Sequence, residues 1–401
     1  MHYVIGVAGL GVFMALAWAA SYDRKLAKTR LKYVALMLLM QAVLGFILIR
    51  TAVGQTIIDG ISSAFGTLLG YAFAGTSFVF GGLAGDADAT NGLTPSFFMA
   101  VLMPIVFISA LIGVLEWSKI LPLFIRYLGI AVGKINGLGK LESYGASASL
   151  LLGQSEVFIS LKHQLTHLNE RRLYTLAAAA MSTVSASIMG SYMVLLDPRY
   201  VVTAIALNFL GIFIVVSLIN PYDLEPSEDV AVFPDAKHRT FFETLTEYIW
   251  DGFRVAVTVA AMLIGFVALI AMVNGIFNGI FGVTFQHVLG YVFSPLAVLT
   301  GVPLNEAVDA GSLMATKLVT NEFVAMTQIA AGDYELSERT YAIVAVFLVS
   351  FANFASIGII AGAVKGLTNA QGDAIARFGL KLVYGATLVS FISATMVGLL
   401  I

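Results

Sequence analysis

Residues 97–115 and 200–219 contain no Asp, Glu, Lys or Arg, and each approaches the roughly 20 apolar residues a helix needs to cross a hydrocarbon core. A backbone placed there has no water to bond, so only helices or closed barrels can satisfy its N–H and C=O groups. The runs mix Leu, Ile, Val, Phe and Ala with internal Gly, unlike the alternation of barrel strands. With 59% hydrophobic and 11% charged residues over 401 positions, against about 25% charged in a soluble domain, the chain reads as an all-α polytopic membrane protein.

Further runs at 3–20, 33–50, 174–196, 253–277, 341–363 and 378–400 read as spans. In 55–71, Ile57, Ile58, Ile61, Phe65, Leu68 and Leu69 share one helical face, as in a helix lying in the interface. Gly66 and Gly70 in it are weak signals of helix contact. A Gly/Asp-rich loop is expected at 81–91, and an acidic extramembrane linker with Asp223, Glu225, Glu228, Asp229 and Asp235 at 221–240. Arg24, Lys25, Lys28, Arg30 and Lys32 follow the first apolar run instead of preceding it. That order argues against a cleaved signal, makes the basic loop cytoplasmic and puts the amino terminus on the other side.

Twice the apolar pattern breaks inside membrane-grade sequence, at 140–167 around Gln154, Ser155 and Glu156, and at 303–331 around Asn305, Glu306, Asp309, Lys317, Asn321 and Glu322. Neither half of either segment is long enough to cross, which is how a re-entrant hairpin reads, and irregular backbone at that depth needs protein or a wet cavity around it. Each hairpin is followed by a polar tract within a span, at 182–187 and 350–356. Glu156 precedes Ser187 by 31 positions and Glu322 precedes Asn353 by 31. Glu156 and Glu322 are 166 apart, and Glu170 and Arg171 stand 168 before Glu338 and Arg339. The second half therefore repeats the first as hairpin, polar-centred span, span. Inverted repeats of this kind place a transport site at their interface, on discontinuous helices. The chain divides into scaffold helices with the interfacial helix (1–115), a first repeat (116–220), a linker and scaffold span (221–300) and a second repeat (301–401).

A carboxylate at the bilayer centre costs about 2.5–3.5 kcal/mol, so Glu156 and Glu322 are the leading site residues. Gln154, Ser155, Asn353 and Ser356 could each be helix glue alone; their convergence with the acids gives them weight. Carboxylate, amide and hydroxyl groups match sugar hydroxyls, amides match a base edge, and Phe351 can pack on a flat ring. Lys317 and Lys365 read as charge-balancing or snorkelling side chains. His163 and His167 lack the intervening glutamate of a zinc helix. Zero cysteines excludes thiolate chemistry, and with no basic stripe nucleic acid is not an expected partner. The missing nucleotide loop, metal cluster and Gly-x-Ser-x-Gly elbow argue against an enzyme using Glu156 and Glu322 as an acid–base pair. Polar groups gathered in four tracts argue against a pore.

Gly-Lys-Leu-Glu-Ser at 139–143, Gly-Gln-Ser-Glu at 153–156, Ala-Met-Ser-Thr-Val-Ser at 180–185, Asn-Glu-Phe-Val-Ala at 321–325 and Ser-Phe-Ala-Asn-Phe-Ala-Ser-Ile-Gly at 350–358 resemble the concentrative nucleoside transporter family, most closely its bacterial NupC-type permeases. The resemblance implies eight transmembrane helices plus two re-entrant hairpins, scaffold and transport domains, a homotrimer in the bacterial inner membrane with a periplasmic amino terminus, and elevator-type symport of nucleosides such as uridine. It assigns Gln154, Ser155 and Glu156 to the base with Ile188 lining the pocket, Glu322, Asn353 and Ser356 to ribose, and Phe351 to a place beside the base. The sodium site of the family falls on Ser149, Leu152, Thr183, Val184 and Ser187. Where sodium-coupled members carry an asparagine this chain has Ser149, which removes an amide oxygen from a cation that prefers a full oxygen shell. Protons are therefore the favoured coupling ion, sodium the alternative, with Glu322 as the proton-linked acid and no cofactor.

Overall fold

The computed structural model describes residues 2–84, 96–223 and 240–401, and every regular element among them is helical. The loop at 81–91 and the acidic linker lie largely outside the described residues, as does the His163 side chain; His167 is exposed.

The chain begins with α1 (His2–Ala19), α2 (Arg24–Thr29), α3 (Leu31–Arg50) and α4 (Ala52–Phe80). Asp23 starts the basic loop as an N-cap, accepting from the Lys25 and Leu26 amides, which satisfies donors a helix start leaves open. The amphipathic segment at 55–71 is the middle of α4, which the apolar residues after Tyr71 prolong to 29 residues, enough to cross by length and composition. Gly66 and Gly70 meet no other helix of this chain among the described residues. A π-helical turn at Phe98–Leu102 leads into α5 (Pro104–Trp117) and α6 (Ile120–Gly133); the last was not anticipated.

The segment expected as the first repeat, 116–220, holds α6 and then α7 (Lys140–Ser149), α8 (Glu156–Ser160), α9 (Lys162–Leu165), α10 (Glu170–Ser182), α11 (Ala186–Leu195) and α12 (Pro198–Ile219). The expected lead-in and span of the linker region form one helix, α13 (Phe241–Phe281), 41 residues long, whose start is fixed by a capping box of Thr240 and Glu243. Next comes α14 (Phe285–Leu299), also unanticipated. The second repeat is α15 (Ala307–Val319), α16 (Glu322–Ala330), α17 (Glu338–Leu348), α18 (Phe354–Lys365) and α19 (Asn369–Leu400). The landmark residues are helix starts: Glu156 and Glu322 open α8 and α16, Glu170 and Glu338 open α10 and α17.

Two polar-centred spans prove discontinuous. Residues 183–185 separate α10 from α11, and 349–353 separate α17 from α18. By length and composition, 7 stretches of the described residues qualify as membrane spans. α1 falls just short, and the α17–α18 span is divided into 11- and 12-residue halves. Most of α12 and α19 is buried, and Phe13 of α1 stacks on Phe391 of α19 with centroids 4.8 Å apart. α14 and α15 touch backbone to backbone: a Cβ on Gly311 would lie 2.6 Å from the Gly290 carbonyl, the small-residue contact typical of membrane helices.

Candidate functional site

Both helix breaks are tied to other elements by hydrogen bonds, the first mainly as donor to the hairpin before it and the second as acceptor. Thr183 Oγ1 donates to the carbonyls of Ser149 and Ala179 at 2.9 and 3.0 Å, and the Ala186 amide donates to Leu151 at 3.3 Å. In the second break Asn208 Nδ2 donates to Val349 O at 2.7 Å and the Lys317 ammonium to Phe347 O. The breaks also meet each other, Phe351 N donating to Thr183 O at 3.3 Å. Irregular backbone at this depth is thus tied into protein, as it must be.

At the first hairpin tip the Gly153 amide donates to Glu156 Oε2 at 3.0 Å, so this acid also closes its own turn. Gln154 Oε1 is buried with no hydrogen-bond partner among the described residues, a condition native proteins seldom leave unmet. At the second hairpin Asn321 caps α16 through Val324 N at 3.1 Å. Glu322 accepts from Tyr192 Oη at 2.8 Å and from Asn353 Nδ2 at 3.0 Å. The other end of the Asn353 amide caps α18 by accepting from Ser356 N at 2.9 Å.

Between these groups lies a cavity of about 250 Å³. All eight residues assigned to substrate line it: Gln154, Ser155, Glu156, Ile188, Glu322, Phe351, Asn353 and Ser356. A larger open groove of about 920 Å³ runs along α13 from Phe242 to Thr258 but contains no hairpin or break residue, so the smaller enclosed space is the candidate site. It sits at the starts of α8, α11, α16 and α18, where the positive ends of the helix dipoles favour electron-rich ligand atoms.

The ion-site candidates divide. Ser187 lines the cavity and lies 3.0 Å from Ser185 Oγ. Ser149, Leu152, Thr183 and Val184 are buried behind it, where Ser149 Oγ donates to Gly145 O at 2.8 Å.

Lys317 departs from expectation. It is fully buried and cannot snorkel, because Ser350 Oγ and Ser390 Oγ receive its ammonium at 2.7 and 3.2 Å beside Phe347 O. Lys365 does balance charge, against Asp373 at 2.7 Å.

Two contributors were missed. One wall of the cavity is α13, through Arg254, Thr258 and Met262; their spacing of four marks one helical face and was readable. Tyr192 lies 130 positions from Glu322 in an apolar run, and nothing in the sequence distinguishes it.

A multi-span helical protein whose cavity collects polar side chains from hairpin tips and broken helices has the architecture of a secondary transporter. Residues 8–83 and 200–398 match the family models for the N-terminus and C-terminus of Na+ dependent nucleoside transporters, and residues 98–199 match the model described as nucleoside recognition. The purine nucleoside transport protein NupG of Bacillus subtilis is 34% identical over 100% of both chains. The nucleoside permease NupC of Helicobacter pylori is 29% identical, covering 99% of this chain and 98% of its own. Among solved structures, CNTnw in an inward-facing substrate-bound state superposes with a TM-score of 0.91 at 30% identity, over 100% of this chain and 98% of that one. A doubly substituted CNTnw in an outward-facing state gives 0.93 at 30% identity, with the same coverage. The chain belongs to the concentrative nucleoside transporter family, a family of transporters and not of enzymes.

Proposed function

We propose that this protein is a secondary active nucleoside importer of the bacterial inner membrane, driven by protons. The observation that carries the reading is the meeting of all eight substrate residues around one enclosed cavity, with Glu322 held between Tyr192 and Asn353. The volume of about 250 Å³ lies just under the usual small-molecule range of about 300–1,000 Å³, which suits one compact solute. Gln154, with its unpartnered carbonyl oxygen, Ser155 and Glu156 take the base; Ile188 and Phe351 flank it; Glu322, Asn353 and Ser356 take the ribose hydroxyls. The name of the Bacillus relative adds purine nucleosides to uridine as candidate cargo.

Proton coupling is supported by Ser149, whose single short hydroxyl gives its proton to Gly145 O and supplies no amide oxygen. Sodium coupling is the alternative, favoured by the description of the matching family models. The remaining features follow the family resemblance: eight spans, reached when α4 lies in the interface and α1 and the broken α17–α18 pair join the other six stretches, repeats inverted in the membrane, a periplasmic amino terminus, a homotrimer, and a transport domain moving as an elevator against the scaffold.

Uptake of labelled uridine and a purine nucleoside into proteoliposomes, under imposed proton or sodium gradients, tests solute, active transport and coupling together. Accumulation that follows a sodium gradient and ignores a collapsed pH gradient would remove the proton reading. Chemical conversion of the nucleoside would revive an enzymatic one.

A further inference from the structure

Lys317 is a cation that the transport reading leaves unused. It stands five residues before Glu322 and is completely buried, and an ammonium away from water is tolerated only where fixed dipoles replace its hydration. Its bonds to Phe347 O, Ser350 Oγ and Ser390 Oγ occupy all three of its N–H groups. The acceptors come from three places: the last turn of α17, where carbonyls carry the negative end of the helix dipole, the break itself, and α19. Ser350 Oγ and Ser390 Oγ are 2.9 Å apart, so the two hydroxyls and the ammonium close a ring.

The backbone leaves this ring at Ser350 and within three residues presents Phe351 and Asn353 to the cavity. Asn353 then bonds to Glu322, on the hairpin that carries Lys317. At the matching position the first repeat carries no cation. The 166-position offset that relates Glu156 to Glu322 sets Leu151 against Lys317 and Val184 against Ser350, and that break is held by the Thr183 hydroxyl and the Ala186 amide.

We infer that Lys317 is a positioning residue for nucleoside binding: a tethered positive charge that locks the second helix break, and through Ser350 sets how Asn353 and Glu322 receive the sugar hydroxyls. The inference rests on the nucleoside reading of the cavity. A lock at the second break acts on the hydroxyl-binding pair Asn353 and Glu322, while Gln154 stands on the other hairpin and Phe351 is held separately by its amide bond to Thr183 O, which separates it from a general contribution to stability.

The test titrates purified wild type, Lys317→Gln, Ser350→Ala and Ser390→Ala with uridine and with 2′,3′-dideoxyuridine, and follows folding by thermal melting. Loss of a hydrogen bond to a buried charge should weaken uridine binding about tenfold. Dideoxyuridine, which lacks the hydroxyls, should bind almost unchanged, so the ratio of the two affinities shrinks. If Lys317→Gln fails to fold, the two serine variants, which each remove one acceptor and keep the ammonium, decide the matter. Folded variants that melt lower yet keep the wild-type ratio overturn the inference and leave Lys317 as a stabilising residue. A wild type that binds neither solute overturns the nucleoside reading, and the inference with it.

Discussion

Asn353 and Glu322, 31 positions apart in sequence, lie 3.0 Å apart through the Asn353 Nδ2 and Glu322 Oε2 atoms, and the same amide caps α18 through its oxygen. One side chain therefore starts a helix at the break and orients the carboxylate beside it. Asn353→Ala should lose a cap of about 1 kcal/mol and a bond to a charged group of about 1.5–3 kcal/mol. The expected outcome is a modest fall in melting temperature and at least a tenfold loss of uridine affinity. Asn353→Asp keeps a capping oxygen but replaces the donor to Glu322 by a second buried carboxylate, so it should melt below wild type and not bind. Calorimetric titration with uridine on both variants checks the pair.

Glu322→Gln keeps the shape, removes the ionisable group and leaves one acceptor oxygen for Asn353 Nδ2, with its NH2 turned to the Tyr192 hydroxyl. Gradient-driven uridine accumulation should fall at least tenfold, the loss of one charge-assisted contact, with size-exclusion elution unchanged. Normal accumulation by a correctly inserted variant would remove Glu322 from the mechanism.

Tyr192→Phe isolates the other donor to Glu322. The ring keeps its edge contact with Phe323, with centroids 5.1 Å apart, so packing is retained and only the hydroxyl is lost. A buried carboxylate left short of one donor should raise KM for uridine about tenfold. An unchanged KM would show that Asn353 alone suffices to hold the acid.

The pairs that could be found in the sequence are those the repeat made periodic. Glu156 and Glu322 were visible because a charge in an apolar run is costly and because the same spacing recurs, and the structure places both at helix starts on one cavity. Asn353 and Ser356 were visible through their tract, and Arg254, Thr258 and Met262 were there to be found as one helical face. Tyr192 was not, because its only distinction is a contact made by folding. The Lys317 environment was hidden for the same reason: Ser390 lies 73 positions away in an unremarkable span, and a lysine in a membrane hairpin reads equally as snorkelling. α6 and α14 escaped because they are short apolar helices, of 14 and 15 residues, between stronger signals.

Glu142 belongs to a motif whose role became plain only in three dimensions. It is fully buried and joins α7 to α10 through a two-pronged bond, its Oε1 and Oε2 receiving Arg172 Nε and Nη2 at 2.5 and 3.2 Å. Breaking a buried pair from one side costs about 3–5 kcal/mol, so Arg172→Ala should sharply lower the yield of folded protein. Arg172→Lys should rescue little, because an ammonium cannot reproduce the planar fork. Melting of detergent-solubilised variants measures both.

Ser149 offers the most direct test of the coupling ion. Its hydroxyl is turned to Gly145 O and its carbonyl already accepts from Thr183, so the position adds little oxygen to a hard cation. Ser149→Asn lengthens the side chain and brings an amide oxygen toward Thr183 and the Leu152 and Val184 backbone. A site gaining one such ligand should acquire sodium sensitivity, with KM for uridine about tenfold lower in sodium than in choline at fixed pH, equivalent to about 1.4 kcal/mol of added affinity. Wild type should show no difference between the two salts while accumulating uridine under an inward proton gradient. Sodium dependence already present in wild type would instead place the ion on the existing oxygens around Ser149 and Thr183, and Glu322 would lose its role in coupling while keeping its role in binding.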